Sequence, residues 1–243
     1  MLKLSNVGKS FGNHWAVREL NIEVAAGRIF GFLGPNGAGK TTTLRMIAGL
    51  LKPTAGQILV DGFDVVKEPI KAKSAAGYIP DKGFLYEKLT GMELLNFVAS
   101  LYRMPLHKAA DRINELASTF SISEVLGELI ESYSSGMRQR LMFAAAMLHE
   151  PKILLIDEPI IGLDPRGVRM LKNLLGDLAV KGVAILMATH SLSLAEELCS
   201  DLGIINRGRL IASGNKEELL NSGKGLEDYF LYVTEKLPSL GGG

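Results

Sequence analysis

The stretch that decides the fold is Gly34-Pro35-Asn36-Gly37-Ala38-Gly39-Lys40-Thr41. It matches the phosphate-loop pattern G-x-x-x-x-G-K-[ST] at every position. Its glycines allow successive backbone N–H groups to point at phosphate oxygens, and a helix N-terminus directly after the loop favours an anion. Lys40 is expected to neutralise phosphate charge, and the Thr41 hydroxyl to ligate Mg²⁺. The alternative is a glycine-rich turn without function, but a strand pattern over 28–33 and a helix pattern over 40–51 flank the loop as the motif requires.

A second signal follows the apolar run Ile153-Leu154-Leu155-Ile156, which is typical of a buried parallel strand. Asp157, at the end of that strand, would reach the sheet edge where the phosphate loop lies and hold Mg²⁺ there. Glu158, one residue later, can accept a proton from an attacking water. The alternative is a strand that ends in solvated acids before a proline, and a complete phosphate loop in the same chain weakens that interpretation.

His190 follows another apolar strand pattern, over 183–188. An imidazole there could hydrogen-bond a γ-phosphate and position a water, although a lone histidine after a strand is more often structural. The other histidines, His14, His107 and His149, lie in loop or helix contexts, and we interpret them as surface or packing residues without partners.

Composition excludes several classes of protein. The chain has 243 residues, 27 Lys+Arg against 26 Asp+Glu, a net charge of +1 and 47% hydrophobic residues. This apolar content excludes a disordered chain, and the near-neutral charge argues against a nucleic-acid partner. The single cysteine excludes a disulfide framework, and no run approaches the ~18 apolar residues of a membrane-spanning helix. We therefore expect a soluble cytoplasmic protein, with an apolar fraction high for a chain that works alone.

The order of the predicted elements gives the fold class. Strand patterns alternate with helix patterns, which implies an α/β protein with a parallel sheet. Apolar residues recur at helical spacing over 92–104, 108–120 and 135–149, so a helical insertion separates two α/β stretches.

The segment Tyr133-Ser134-Ser135-Gly136-Met137-Arg138-Gln139-Arg140 is similar to the ABC signature motif, and Met137 lies 20 residues before Asp157, as in that family's pattern. Taken with the phosphate loop and the acidic pair, it makes the chain from about residue 2 to 235 resemble the nucleotide-binding subunit of ATP-binding cassette (ABC) transporters. The segment is also a small-residue helix N-terminus, with Ser134 or Ser135 as its cap.

The resemblance implies the phosphate-loop NTPase fold of ABC ATPases, with a mainly parallel core sheet, an antiparallel β N-terminal part and a helical insertion subdomain. It divides the chain into an N-terminal β part and phosphate-loop core (1–83) and a helical signature subdomain (84–150). A core continuation (151–215), a C-terminal helical extension (216–240) and a short tail (241–243) follow.

The resemblance also implies roles for residues around the nucleotide. Phe11 matches the aromatic residue that stacks on adenine, with Val17 packing nearby, and Thr42 would reach the α-phosphate. His190 matches the switch histidine, which makes Glu158 and His190 the expected catalytic residues.

Other implied roles concern a second subunit. Ser134, Ser135 and Gly136 would face the γ-phosphate of ATP bound by the opposite subunit. Asp164 belongs to Ile161-Gly162-Leu163-Asp164-Pro165, which matches the loop that crosses the dimer interface.

Three departures from the family pattern matter. Asp81 stands where the family has a glutamine that contacts Mg²⁺ and reports to the membrane partner; a carboxylate can also ligate Mg²⁺, but it is shorter and charged. Tyr133 replaces the first leucine of the signature, whose Gly-Gly-Gln appears here as Ser-Gly-Met. Ile161 replaces the serine that opens the interface loop.

The predicted function is an ATP-binding and ATP-hydrolysing subunit, with ATP and Mg²⁺, that drives transport through a separate permease. It would act as a head-to-tail homodimer, or as a heterodimer with a paralogue, with the permease contacting the region 81–85. The residues of the signature segment and of the late segment over 226–230 resemble those of the exporter branch, which has six-helix permeases. The expected location is the cytoplasmic face of a bacterial or archaeal inner membrane. The alternatives are an ABC ATPase without a permease, acting in assembly or repair, and a phosphate-loop kinase.

Overall fold

The computed structural model describes residues 1–81, 83, 85–160, 162–220 and 225–236. Its strands are β1 (Leu2–Phe11), β2 (His14–Val24), β3 (Ile29–Leu33), β4 (Ala55–Val60), β5 (Phe63–Asp64), β6 (Ala76–Ile79), β7 (Ile153–Asp157), β8 (Ala184–Thr189), β9 (Asp201–Asn206) and β10 (Arg209–Asn215). Its helices are α1 (Lys40–Ile47), α2 (Pro69–Ser74), α3 (Gly91–Leu101), α4 (Leu106–Thr119), α5 (Ser135–Met147), α6 (Pro165–Val180), α7 (Leu192–Leu198), α8 (Lys216–Leu219) and α9 (Leu226–Lys236), with 3-10 turns at Ser123–Val125 and Ile130–Ser132.

Two sheets organise these elements. The N-terminal sheet is antiparallel, in the order β2-β1-β4-β5. The core sheet has the order β10-β9-β3-β8-β7-β6 and is parallel except where β10 pairs with β9. Arg207 and Gly208 both have positive φ in the turn before β10, as a tight two-residue hairpin requires.

The strands of the core sheet are buried on both faces, which explains their continuous apolar sequences. In β7, Leu154 and Ile156 pack among the helices, whereas Ile153 and Leu155 pack toward α1 and the N-terminal sheet. Residues of β7 are at most 1% exposed. Since side chains alternate along a strand, each of the two cores receives every second residue.

The helical insertion forms where the apolar spacing predicts it, and its helices begin at specific caps. The Thr90 side chain accepts from the Glu93 backbone N–H, and the Glu93 carboxylate accepts from the Thr90 backbone N–H, a capping box that starts α3. The Ser134 hydroxyl accepts from the Met137 N–H and starts α5. Phe120 and Phe143, whose ring centroids lie 6.0 Å apart, join α4 to α5 within the core.

The predicted fold class is confirmed: the molecule is α/β, with an antiparallel N-terminal sheet and a mostly parallel core sheet. The exact domain boundaries stay a prediction. Within the described residues, no helix is both long and apolar enough to cross a membrane.

Candidate active site

Parallel pairing brings four chain segments to one edge of the core sheet. Leu33 of β3 lies opposite Thr189 of β8, and Asp157 of β7 lies opposite Ala188. Ile79 of β6 lies opposite Ile156, so the β6 strand ends beside β7. The phosphate loop, Glu158, His190 and Asp81 therefore all follow strand ends at the same edge, although they are far apart in sequence.

The phosphate loop needs glycine at specific places. A Cβ on Gly34 would lie 2.3 Å from the Ile205 carbonyl oxygen, and one on Gly39 would lie 2.7 Å from the Ala16 carbonyl oxygen. Gly37 and Gly39 have φ of 78° and 112°. Both conformations are costly for residues with a side chain. The sequence pattern is thus a direct consequence of the backbone path.

Lys40 is the first residue of α1 and is 6% exposed. Its ammonium group donates to the carbonyl oxygens of Gly34 and Pro35, at 2.6 and 3.2 Å. Burial lowers the pKa of this group, while the nearby carboxylates of Glu158 and Asp157 oppose that change. A buried cation held by carbonyl oxygens within a loop is suited to bind an anion of high charge.

Asp157 is 1% exposed, and its Oδ2 atom has no hydrogen-bond partner among the described residues. Burial raises the pKa of this carboxyl, and the Thr41 side chain opposes that rise. An unpartnered buried carboxylate oxygen beside a threonine hydroxyl fits a hard divalent cation such as Mg²⁺.

The residues supply only part of a coordination shell. No group of three or more His, Cys, Asp or Glu in the described ranges could hold a metal ion by itself. Mg²⁺ in phosphate sites commonly binds through one or two carboxylates and takes further oxygens from the substrate and water. Thr41 and Asp157 therefore suit a cation that arrives with a phosphate, and Asp81 lines the same cavity as these two residues.

Glu158 is held in an unusual conformation. Its φ is 52°, in the left-handed region, and its backbone N–H donates to the Ala188 carbonyl at 2.9 Å. Its Oε1 accepts from the His190 backbone N–H at 3.1 Å and lies 2.8 Å from His190 Nδ1. Since a carboxylate only accepts, the neutral imidazole would carry its proton on Nδ1 and leave Nε2 as an acceptor.

The phosphate loop, Asp81, Asp157 and Glu158 border a cavity of about 200 Å³. Its lining residues are His14, Ala16, Asn36, Gly37, Gly39, Lys40, Thr41, Thr42, Asp81, Asp157 and Glu158. Within the loop, Gly34 and Ala38 are buried and Pro35 is exposed. The structure thus brings the predicted phosphate and metal residues together in one concave site, which is the usual form of a small-molecule site.

Sequence reasoning missed two contributors to this site. His14 lines the cavity because β1 and β2 form a hairpin that sets it opposite Phe11. Thr189 donates to Glu158 Oε2 at 3.0 Å. No local motif marks His14, and only the position of Thr189 at a strand end, before His190, could have signalled its role.

The two residues expected near the adenine, Phe11 and Val17, differ in exposure. Phe11 is 53% exposed, and Lys9 Nζ lies 5.2 Å from its ring centroid. Val17 is fully buried, and its Cγ2 lies 3.1 Å from the position of a Cβ on Gly39. Phe11 is therefore available to a ligand, whereas Val17 packs against Gly39 of the phosphate loop.

The signature residues do not line the cavity of their own chain. Ser134 and Ser135 are exposed at the N-terminus of α5. A Cβ on Gly136 would lie 3.4 Å from the Gly162 carbonyl oxygen, so the interface loop contacts the signature helix. Asp164 caps α6 by accepting from the Gly167 N–H at 2.7 Å. Ile161, Lys82 and Phe84, which belong to predicted contact segments, lie outside the described residues.

A second concave surface lies between α3, α5 and β6. We call it the apolar groove; it has a volume of about 470 Å³, and its walls include Gly83, Leu85 and Leu101. Tyr102 and His149 also line it, with ring centroids 3.8 Å apart and planes within 5°. The interpretation of His149 as a residue without partners was wrong: it stacks on Tyr102, and its Nε2 lies 3.1 Å from the Ala76 carbonyl oxygen.

Comparisons with known proteins agree with this geometry. The family model described as "ABC transporter" matches residues 17–161. The linearmycin resistance ATP-binding protein LnrL of Bacillus subtilis is 36% identical over 219 residues, which are 90% of this chain and 70% of that protein. A solved ATP-binding subunit of an ABC transporter superposes with a TM-score of 0.91 at 30% identity, covering 96% of this chain and 99% of the other. A dimeric ATP-binding cassette in a post-hydrolysis state, bound to ADP and Pi, shares the fold with a TM-score of 0.78 at 24% identity, covering 88% and 98%.

Proposed function

The chain belongs to the ABC transporter family as an ATP-binding subunit, and we propose that its cavity hydrolyses ATP to drive export through a separate membrane permease. One observation supports the proposal of ATP hydrolysis. A buried lysine, a buried aspartate with an unpartnered oxygen and a carboxylate held by a histidine all meet at the end of one sheet. Phosphoryl transfer depends mainly on positioning and charge neutralisation, and this set of residues supplies both.

The phosphate loop binds the nucleotide. Backbone N–H groups of Asn36, Gly37 and Gly39 and the N-terminus of α1 face the phosphates, and Lys40 exchanges its carbonyl partners for β- and γ-phosphate oxygens. Thr42 reaches the α-phosphate, and Phe11 stacks on the adenine. Thr41 and Asp157 hold Mg²⁺, with Asp81 as a further oxygen ligand. When bound, Mg²⁺ neutralises charge on the transferred phosphoryl group.

Glu158 acts on the water. Its carboxylate accepts a proton from the attacking water as the γ-phosphoryl group leaves ADP. His190 holds Oε1 of that carboxylate through its backbone N–H and its Nδ1. Its Nε2 is then an acceptor that can take a hydrogen bond from the attacking water. The left-handed backbone at Glu158 costs of order 1 kcal/mol or more, and such strain at a strand end is typical of a functional position.

The substitution Glu158→Gln tests the assignment of the base. The amide keeps the size of the side chain but cannot accept the proton, so kcat should fall about 100-fold or more while ATP binding is retained. Phosphate release and binding of a fluorescent ATP analogue measure the two properties. Glu124→Gln, an exposed residue remote from the cavity, is the matched control and should keep wild-type turnover. Undiminished hydrolysis in Glu158→Gln would refute this role.

A second subunit completes the site in this proposal. Ser134 and Ser135 are exposed, and the cavity of their own chain does not use them. In a head-to-tail dimer, either a homodimer or one with a paralogue, these residues and Gly136 face the γ-phosphate held by the partner. Closure of the dimer on ATP and its reopening after hydrolysis move the subunits. Light scattering should therefore detect ATP-dependent doubling of mass in Glu158→Gln, and a mass independent of ATP contradicts the closure.

The apolar groove receives the permease in this proposal. Phe97 and Leu101 of α3 are 43% and 64% exposed at its rim, and Tyr86 packs edge-on against Phe97 at 6.1 Å. Exposed apolar side chains around a groove mark an interaction surface. An amphipathic cytoplasmic helix of a membrane protein would cover them, which also accounts for the apolar composition. Attachment there would hold the chain at the cytoplasmic face of the membrane.

Cysteine cross-linking tests the groove directly. The only natural cysteine, Cys199, is 2% exposed, and burial raises the pKa of its thiol to about 12, so it reacts poorly. Leu101→Cys would add one exposed thiol at the rim. In membranes of the source cell it should cross-link to a multi-span protein. Val180→Cys, at a side chain 90% exposed outside the groove, should not. Equal labelling at both sites, or none at Leu101, favours an ATPase without a permease.

Export is the proposed direction, on the basis of relatives such as LnrL, which is named for resistance to linearmycin. Uptake by inside-out membrane vesicles tests it, because an exporter accumulates its substrate in such vesicles when ATP is added outside. Loss of accumulation in Glu158→Gln is expected.

A further inference from the structure

Thr189 is the last residue of β8 and is fully buried. Its hydroxyl donates to Glu158 Oε2 at 3.0 Å, across 31 residues of sequence. No other described side chain is hydrogen-bonded to this oxygen, because the two contacts from His190 go to Oε1. The two oxygens of one carboxylate are therefore held by two adjacent residues of another strand end.

The direction of this hydrogen bond is fixed by its surroundings. The Ser191 backbone N–H donates to Thr189 Oγ1 at 3.0 Å. That bond occupies a lone pair of the hydroxyl oxygen, and the ionised Glu158 carboxylate can only accept, so the hydroxyl proton is directed at Glu158. Threonine is β-branched and stiff at χ1, and Thr189 is paired in register with Leu33 of the neighbouring strand. The side chain that carries the donating hydroxyl is therefore rigid.

The two residues that hydrogen-bond the Glu158 carboxylate differ in their exposure to solvent. The His190 side chain is 62% exposed, whereas that of Thr189 has no exposure. A hydrogen bond to a charged group is stronger where water is excluded. The buried hydroxyl therefore holds Oε2 where water is excluded, whereas the imidazole that contacts Oε1 is largely exposed.

We propose that Thr189 is a positioning residue for ATP hydrolysis: its hydroxyl fixes the carboxylate of Glu158 in the orientation that receives the proton of the attacking water. This inference rests on the proposed role of Glu158. Without the hydroxyl, the contacts of His190 to Oε1 remain, but Oε2 is no longer held and the carboxylate can turn about its last bond. Small displacements of a reacting group reduce rates strongly. Nucleotide affinity does not depend on Thr189, since Thr189 does not line the cavity.

Thr189→Val keeps the shape of the side chain and removes the hydroxyl. We expect kcat for ATP hydrolysis to fall about 10- to 100-fold, with KM for ATP changed less than twofold. Thr189→Ser restores the hydroxyl and should recover most of the rate, although its χ1 is freer. Thr189→Ala, which is smaller, serves if the valine variant folds poorly, and it should lose the same activity. Melting temperature of each variant is measured alongside.

A double-mutant cycle separates positioning from a merely structural role. If Thr189 acts through the Glu158 carboxylate, adding Thr189→Val to Glu158→Gln should lower the residual single-turnover rate less than twofold. A full additional loss in the double variant overturns the proposal. So does wild-type kcat in Thr189→Val, or a serine variant as slow as valine. If Glu158→Gln itself hydrolyses ATP normally, the proposed function fails instead, which is a different outcome.

Discussion

His149 gives a prediction about stability whose sign and size follow from the structure. Its Nε2–H donates to the Ala76 carbonyl, its ring stacks on Tyr102, and its Nδ1 is buried without a partner among the described residues. Protonation would place a second N–H where no acceptor lies. Burial accordingly lowers the pKa of His149 from 6.5 to about 4.

The folded chain binds this proton less readily than the unfolded chain. The contribution of His149 to stability is therefore present above pH 6.5 and is lost as the pH falls from 6.5 toward 4. Linkage between these two pKa values gives a loss of about 2 kcal/mol between pH 7 and pH 5. Because α3, α5 and β6 meet at this ring, acid should weaken the attachment of the helical insertion to the core sheet.

Urea unfolding at pH 7 and pH 5 measures this loss. His149→Phe keeps an aromatic ring for stacking but cannot be protonated, so its free energy of unfolding should decrease by about 2 kcal/mol less than that of the wild type over the same interval. All other titrating groups are common to both proteins and cancel. His107→Phe is the matched control, because His107 is exposed on α4, and it should decrease as the wild type does. Equal decreases in the wild type and His149→Phe would refute the reasoning.

Two further predictions concern the phosphate loop and the metal residue. Gly34→Ala should destabilise the fold by about 2–3 kcal/mol in urea unfolding and abolish ATP binding, because its Cβ would meet the Ile205 carbonyl at 2.3 Å. Gly37→Ala, with nothing within 4 Å, should cost only about 1 kcal/mol for its positive φ. Asp157→Asn should raise the melting temperature, since burial raises the pKa of Asp157 and its ionised form therefore penalises the folded state at neutral pH, while Mg²⁺-dependent hydrolysis is lost. An unchanged or lower melting temperature contradicts the second prediction, and equal costs for the two glycine substitutions contradict the first.

The elements of the fold were predictable from local patterns. Strands such as β7 and β8 are continuous apolar runs, and α3, α4 and α5 have apolar residues at helical spacing. The phosphate loop was predictable because its eight residues are contiguous. The Ser134 cap of α5 and the hairpin turn at Arg207 and Gly208 follow from local backbone chemistry in the same way.

Contacts between segments that are distant in the chain could not be predicted from local patterns. The partners of His149 are Tyr102, directly after α3, and Ala76 of β6, which lie 47 and 73 positions earlier in the chain. Val17 lies under the phosphate loop because β2 passes beneath Gly39, and nothing in its own neighbourhood of sequence indicates this.

By itself, the sequence determined the α/β class, the phosphate loop and the family, because each is written in local patterns and in their order along the chain. Only the tertiary structure decided which groups share a site. Register between parallel strands set Thr189 and His190 against Glu158. The tertiary structure also shows an unpartnered oxygen of Asp157 and places the signature serines outside the cavity of their own chain. Register is fixed by the packing of both faces of the sheet at once, and that is a property of the whole core rather than of any one segment.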